Sequence, residues 1–376
     1  MGESVVVIKT EGGLGSGFLV DARGLVVTNY HVVEDSMIRK EIEIKVYHRI
    51  GSGEIQTATY KECIPIYLDP VVDVALVEIR EEPRVPFRPA VLNRDDSYRK
   101  GEDIAVIGSP GEGGTGQQLE NSYSQGPIAE KEREHFGMNY IQVGATINPG
   151  NSGGPLFNQY AEVIGMATWK YLRTSYNFAV PVARFREAVL AHPFGSFDPA
   201  AEEEACKKVV DAYWKAIVEK DAATIQSCLP SSRTGARELE KFNAYLKAFR
   251  EQMEILRRTR IPEADLEKLL NPGSSPAGGL FYRMVKDKPA DEKFTVEDVQ
   301  SYYVQLQLLG YEEAKFKKYE INSVSLTGAI GKFNVRITYE DAGGRETSQS
   351  DVKTCIKDRS EWKVFAMPPQ FEEEGG

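Results

Sequence analysis

Cysteine is scarce: four in 376 residues (Cys63, Cys206, Cys228 and Cys355), too few for a disulfide framework. One pair in the second half is compatible with a bond, which spacing alone does not decide. Histidine also numbers four, and no C-x-x-C or histidine-rich cluster occurs, so a metal centre is not expected. No run approaches the ~18 apolar residues that a membrane-crossing helix needs, and no membrane span is expected. An excess of positive charge is missing as well. The chain has 46 Lys and Arg against 56 Asp and Glu, a formal net charge of −10. Non-specific nucleic-acid binding needs a basic face, so a nucleic-acid partner is not expected. No signal peptide precedes the first strand-like run, Val5 to Ile8. The chain therefore reads either as cytoplasmic or as missing an export segment, in which case it is periplasmic or extracellular.

What is present is an ordinary globular composition, 41% apolar and 27% charged, on a chain long enough for two domains. The most informative stretch is Gly150-Asn151-Ser152-Gly153-Gly154-Pro155-Leu156. Glycines on both sides of Ser152 let the backbone turn sharply and come close to a substrate without a Cβ in the way. A serine hydroxyl is a poor nucleophile unless a base takes its proton and donors hold the oxyanion it creates. His31 is the candidate base, at the end of the second strand of an expected hairpin (Phe18 to Val20, then Leu25 onward). Asp73 is the candidate acid, set within the apolar run Val71 to Ile79. A carboxylate there is expensive to bury unless it is hydrogen-bonded, and an imidazole N–H is a natural partner. Each residue alone has an ordinary structural reading as a turn serine, a strand-end histidine or a turn carboxylate. The three together are far more specific.

The G-x-S-x-G elbow of α/β-hydrolases is formally matched too, but that fold needs a helix after the serine and a base later in the chain. Here Gly153-Gly154-Pro155 follows, and the only later histidine is His192, in what reads as a connecting segment. His48 and His135 lie in polar surroundings without a motif and read as solvated. The order His, Asp, Ser favours the chymotrypsin type.

Thr28-Asn29-Tyr30-His31-Val32-Val33, Asp73-Val74-Ala75-Leu76-Val77, Gly108-Ser109-Pro110 and the Ser152 loop resemble the trypsin-like serine proteases, in particular the HtrA (Deg) branch, over residues 4–190. The resemblance implies an all-β double six-stranded barrel with the site in the cleft between barrels. It implies His31 as general base, Asp73 as its orienter and Ser152 as nucleophile, with an oxyanion hole from the N–H groups of Gly150 and Ser152. By the same pattern Ile147 lies on the wall of the primary specificity pocket, and Thr168, Trp169 and Lys170 form the strand that pairs with substrate. Ile147 favours a small or medium apolar P1 side chain. Lys170 either narrows the pocket, offers a cation to an acidic P1, or is a solvated strand end. A basic P1 is not expected, and no cofactor is needed.

The expected domains are 1–191, a protease domain closed by a helix from Ala183 to Leu190; 192–200, a linker; and 201–376, an α+β domain. In the last, a helical stripe (Val209, Val210, Tyr213, Trp214, Ile217) and a long apolar seam (Leu239, Phe242, Leu246, Phe249, Met253, Leu256) precede a helix that Thr295 and Asp298 cap. Alternating runs then predict three or four strands, with helices on one face of an antiparallel sheet. This order is similar to the NTF2-like domains; no PDZ-like pattern is seen. The function read from all this is a serine endopeptidase acting on unfolded or partly folded proteins through an acyl-enzyme. Its partners are protein or peptide substrates and, as a further option, a second copy of itself through the seam, although packing of the seam against its own domain is the favoured reading. The alternative is a catalytically silent or latent protease fold that serves as a binding or scaffold protein, with a partner recognised by its C-terminal domain.

Overall fold

The computed structural model describes residues 2–11, 13–34, 41–51, 53–109, 122–135, 138–170, 177–231, 236–258, 280–281, 283–285, 288–289, 292–309, 315–340 and 344–365. Pro110, the loop 271–279, Gly310, most of the turn 341–344 and the acidic tail lie outside these residues, as do the side chains of His135, Trp169, Lys170, Met253 and Leu256. The chain divides into two units. The first is Met1–Glu202 with Leu326–Ile330 and Lys357–Glu361; the second is the remainder.

The first unit is built mainly of β-strands, with a few helical segments. Its first sheet contains β1 (Val5–Thr10), β2 (Gly13–Asp21), β3 (Leu25–Thr28), β4 (Glu43–Arg49), β5 (Ile55–Tyr60), β6 (Cys63–Asp69) and β7 (Val74–Ile79), in the order β6-β7-β3-β2-β1-β4-β5. Its second contains β8 (Val91–Leu92), β9 (Asp103–Gly108), β10 (Ser122–His135), β11 (Met138–Val143), β12 (Pro155–Phe157), β13 (Glu162–Lys170) and β14 (Asn177–Pro181). Six of these close on themselves as β12-β9-β10-β11-β14-β13, because β13 also pairs with β12. Of the two closed barrels expected, this one forms.

The first sheet is a half-barrel: among the described residues no pairing joins β5 to β6. The reason is that the outer edge of β6 already has partners. Ala329 N–H donates to the Pro65 carbonyl at 2.6 Å, Arg359 N–H to the Leu68 carbonyl at 2.7 Å, and Asp358 pairs with Leu68 in parallel register. Gly328, at φ +60°, makes this approach: a Cβ there would lie 2.0 Å from the Pro65 oxygen. β5, with four of six residues exposed, has little apolar surface to bring to such a closure.

Buried aliphatic and aromatic residues of both sheets form one core, including Phe18, Leu25, Val27, Val74, Leu76, Ile141, Leu156 and Val180. Helix α2 (Val182–Ala191, after the one-turn α1, Tyr30–Val33) packs Phe185 edge-on against Phe18. The segment expected to connect the domains is packed as well. Gly195 N–H donates to Glu78 Oε1 at 2.6 Å, Phe194 lies under the Arg23 and Arg80 guanidinium groups, His192 sits on Tyr67, and Phe197 is buried. His48 differs from its solvated reading: it is buried, with Nδ1 3.1 Å from Glu3 Oε1.

The second unit has helices first and strands last. Helix α3 (Pro199–Glu219) buries Val210, Tyr213, Trp214 and Ile217, and α4 (Ala222–Cys228) is capped by Asp221. Over the described side chains of its seam, α5 (Ala236–Arg258) turns inward: Phe242 meets the rings of Phe281, Phe294, Tyr302 and Tyr303, and Leu246 is buried. This described part of the seam serves its own unit. At α6 (Val296–Leu309) the capping box forms as the sequence predicts, Thr295 N–H to Asp298 Oδ2 at 2.7 Å and Asp298 N–H to Thr295 Oγ1 at 3.2 Å. β15 (Lys315–Thr327), β16 (Ile330–Glu340), β17 (Glu346–Asp358) and β18 (Glu361–Phe365) follow in meander order.

Candidate active site

The chain leaves β3 at Thr28, passes Asn29 in extended conformation, and turns once as α1, which carries His31. His31 is thus on a helical turn just past the strand where the sequence had placed it. Asp73 also sits beside, not inside, its strand: it ends the β6–β7 turn at φ +61°. A left-handed non-glycine residue is strained and needs its surroundings to hold it. Asp69 provides one hold, its Oδ1 accepting from Val71 and Val72 N–H at 3.0 and 3.1 Å. Asn29 provides another, donating from Nδ2 to the Asp73 carbonyl at 2.9 Å.

The Asp73 carboxylate is almost fully buried and accepts from donors on His31 and Thr168. His31 N–H reaches Oδ1 at 3.0 Å, His31 Nδ1 lies 2.8 Å from Oδ2, and Thr168 Oγ1 donates to Oδ2 at 2.6 Å. An ionised carboxylate only accepts, so Nδ1 must carry the proton that points at it. A neutral imidazole then has its lone pair on Nε2, the state a general base requires.

Ser152 is presented by a loop fixed on both flanks. Ser16 is the main anchor: its hydroxyl donates to the Gly150 carbonyl at 2.7 Å and accepts from Ser109 N–H at 2.9 Å, and its N–H donates to the Ser152 carbonyl at 2.8 Å. On the other flank Gly153 N–H donates to the Ala167 carbonyl, and Ala167 N–H to that of Gly154, both at 2.8 Å. Asn151 N–H closes a turn onto the Asn148 carbonyl at 2.9 Å, so the Gly150–Asn151 peptide is held at both its C=O and its N–H. Gly150 and Gly153 take φ of +97° and +86°. Among the described residues, neither Gly150 N–H nor Ser152 N–H donates to a protein acceptor. These are the two donors expected of an oxyanion hole.

Gly153 has the least room. A Cβ there would lie 1.9 Å from the Ser16 carbonyl oxygen and 2.4 Å from Thr28 Oγ1. Gly153→Ala is expected to cost at least ~2 kcal/mol, from the left-handed backbone together with overpacking. Gly195→Ala is the control: φ is +81° but nothing lies within 4 Å, so ~1 kcal/mol of backbone strain is expected. Urea melts of both variants check this, and equal midpoints would mean that the loop yields to the methyl group.

His31 and Asp73 are in direct contact, and Ser152 joins them through Thr168. The Ser152 hydroxyl donates to the Thr168 carbonyl at 2.9 Å, its one hydrogen bond among the described residues. Thr168, expected only to border the substrate, therefore faces the acid with its hydroxyl and the serine with its carbonyl. It can do both because β13 bulges there: Ala167 pairs with Ala179 but Trp169 with Phe178. On the edge away from β14, no described strand pairs with 168–170. Ile147 is buried in the core cluster, its N–H donating to Asn177 Oδ1 at 3.4 Å. Ser16 and Asn29 carry the geometry without having been singled out for it. The one signal was their place in the segments that surround His31, Gly15-Ser16-Gly17 and Thr28-Asn29-Tyr30.

Residues 15–166 match the family model of the trypsin-like peptidase domain. Serine protease HTRA2, mitochondrial, of Bos taurus is 37% identical over 180 residues, which is 46% of this chain and 35% of that protein. Serine protease HTRA1 of Xenopus tropicalis is 34% identical over 180 residues, again 46% of this chain and 35% of the relative. The chain thus spans about a third of the length of these curated relatives. Among solved structures, the crystal structure of Deg5 is similar over 50% of this chain and 87% of that one, at 30% identity and a TM-score of 0.42. By the family model and these curated relatives, the first unit resembles trypsin-like serine proteases of the HTRA type. The family match ends at residue 166, and the second unit takes no family from it.

Proposed function

We propose that the chain is a serine endopeptidase that hydrolyses peptide bonds in unfolded or partly folded proteins. The observation that carries this reading is the Asp73 carboxylate holding His31 Nδ1 at 2.8 Å while Thr168 ties that carboxylate to Ser152. In the reaction the Ser152 hydroxyl rotates off the Thr168 carbonyl toward His31 Nε2. His31 takes its proton as the oxygen attacks the substrate carbonyl, and Gly150 and Ser152 N–H receive the oxyanion. His31 then protonates the leaving amine, and water repeats the sequence on the acyl-enzyme. An extended substrate adds to the open edge of β13 at 168–170, which calls for a locally unfolded chain.

The test is labelling by a fluorophosphonate probe, with the adduct mapped by peptide mass spectrometry. An adduct on Ser152 is expected, and a folded protein that takes up no label, with or without an unfolded protein present, would overturn the assignment. A second reading, a latent form, has one observation in its favour: the Ser152 hydroxyl rests on a backbone carbonyl. Labelling that needs added unfolded protein supports that form.

For specificity, Ile147 favours apolar P1 side chains, whereas a Lys170 ammonium reaching the pocket favours acidic ones by a margin that shrinks with salt. A P1-randomised peptide library on wild type and Lys170→Ala separates the two, and efficient cleavage after Arg contradicts both. The second unit is read as a recognition domain of the NTF2-like kind, on the strength of helices followed by a four-strand meander.

A further inference from the structure

Cys206 and Cys355 are 149 residues apart in the chain and meet inside the second unit. Cys206 projects from α3 and Cys355 from β17; both are fully buried, and their Sγ atoms stand 2.7 Å apart. That is only about 0.7 Å beyond a disulfide bond length. It is also closer than two carbon atoms in ordinary contact, although sulfur is the larger atom. A metal is not the reason for the approach. Among the described residues no group of three or more His, Cys, Asp or Glu side chains could hold one.

We propose that Cys206 and Cys355 are joined by a disulfide in the mature protein, tying the first helix of the second unit to its sheet. The other cysteines do not compete for this role. Cys63 and Cys228 are buried, and neither has a second sulfur beside it among the described residues.

The bond forms by exchange with a disulfide donor while the unit folds. One cysteine, as thiolate, attacks a donor sulfur to give a mixed disulfide and releases one donor thiolate. The second cysteine then displaces the other donor thiolate. Two protein thiols are oxidised, one donor disulfide is reduced to two thiols, and the two protons lost by the cysteines pass to the donor. Once the core has closed, this chemistry stops in both directions. The thiolate is the reactive form, and burial together with the neighbouring sulfur holds the Cys355 thiol well above its ordinary range. The bond is therefore structural, made during folding and then shielded from solvent thiols. Bonds of this kind persist in oxidising compartments.

The experiment is to refold the full chain in a buffer of reduced and oxidised glutathione, block free thiols in denaturant, and count them with and without prior reduction. Two thiols before reduction and four after are expected, with a Cys206–Cys355 cross-linked peptide in the unreduced digest. A closed loop this long is also expected to make the melting temperature fall by about 10 °C on reduction. The Cys206→Ala/Cys355→Ala variant should show no such dependence on reductant. If that variant does not fold, the thiol count and the cross-linked peptide of the wild type decide alone. Four free thiols after oxidative refolding, or a cross-link between any other pair, overturns the proposal. None of these measurements involves peptidase activity, so they stand or fall apart from the catalytic reading.

Discussion

Ser152→Ala is expected to abolish cleavage of casein, with a loss of about 10⁵-fold or more, while the melting temperature stays near that of the wild type. On the proposed mechanism the loss is large because the hydroxyl is the bond-forming atom, and what remains without it is binding and oxyanion stabilisation. The fold should hardly notice. The hydroxyl makes one hydrogen bond, to Thr168, which contributes about 1 kcal/mol. The loop is held instead by backbone groups and Ser16, all of which the alanine keeps. His31→Ala should be comparably severe, and the double variant little worse than either single one, because residues that act as a unit do not lose activity additively. Casein cleavage by purified Ser152→Ala at the wild-type rate would sink the catalytic assignment.

Asp73→Asn is expected to lower kcat/KM on a peptide substrate by about 10⁴-fold. The donors to the carboxylate include His31 N–H, His31 Nδ1 and Thr168 Oγ1. An amide has one acceptor oxygen and one NH₂, so no orientation reproduces this set. If the oxygen faces the His31 backbone, the NH₂ faces Nδ1 and forces the ring to put its proton on Nε2, where it opposes Ser152. If the amide flips, two N–H groups of the same kind confront each other at the buried backbone contact. A moderate loss of stability, about 1–3 kcal/mol, should accompany the kinetic effect. Measuring kcat/KM beside a thermal melt separates the two, and a loss below tenfold in a folded protein would mean that Asp73 does not set the tautomer.

The parts of this site that were legible in the sequence are those whose chemistry is local. Gly150 and Gly153 flank Ser152 because the loop needs left-handed backbone, and that requirement leaves a glycine signature whatever the rest of the fold does. His31 and Asp73 stand out because a charged or titratable group within an apolar run needs a reason. Thr168 and Ser16 were not legible in their full roles. Thr168 reaches Asp73 only because a bulge shifts the register of β13, and Ser16 reaches Gly150 across 134 residues of sequence. Neither the bulge nor the crossing has a local signature. The open first sheet was hidden for the same reason. Gly328 and Arg359 lie between consecutive strands of the second half, and nothing near them in sequence tells that their backbone belongs against β6.

That last arrangement bears on how the chain is made. The strand residue that covers the outer edge of β6, Asp358, is synthesised roughly 290 residues after Leu68; at 5–20 residues per second this is roughly 15 to 60 s. Throughout that interval the outer edge of β6, a row that includes the Pro65 and Leu68 carbonyls, is without these protein partners, directly ahead of the turn that bears Asp73. Such a row can pair with a neighbouring nascent chain on the same polysome. The acid of the candidate site therefore adjoins an edge whose partner strand is synthesised roughly 290 residues later, and chaperone cover of that edge during translation guards it against wrong pairing.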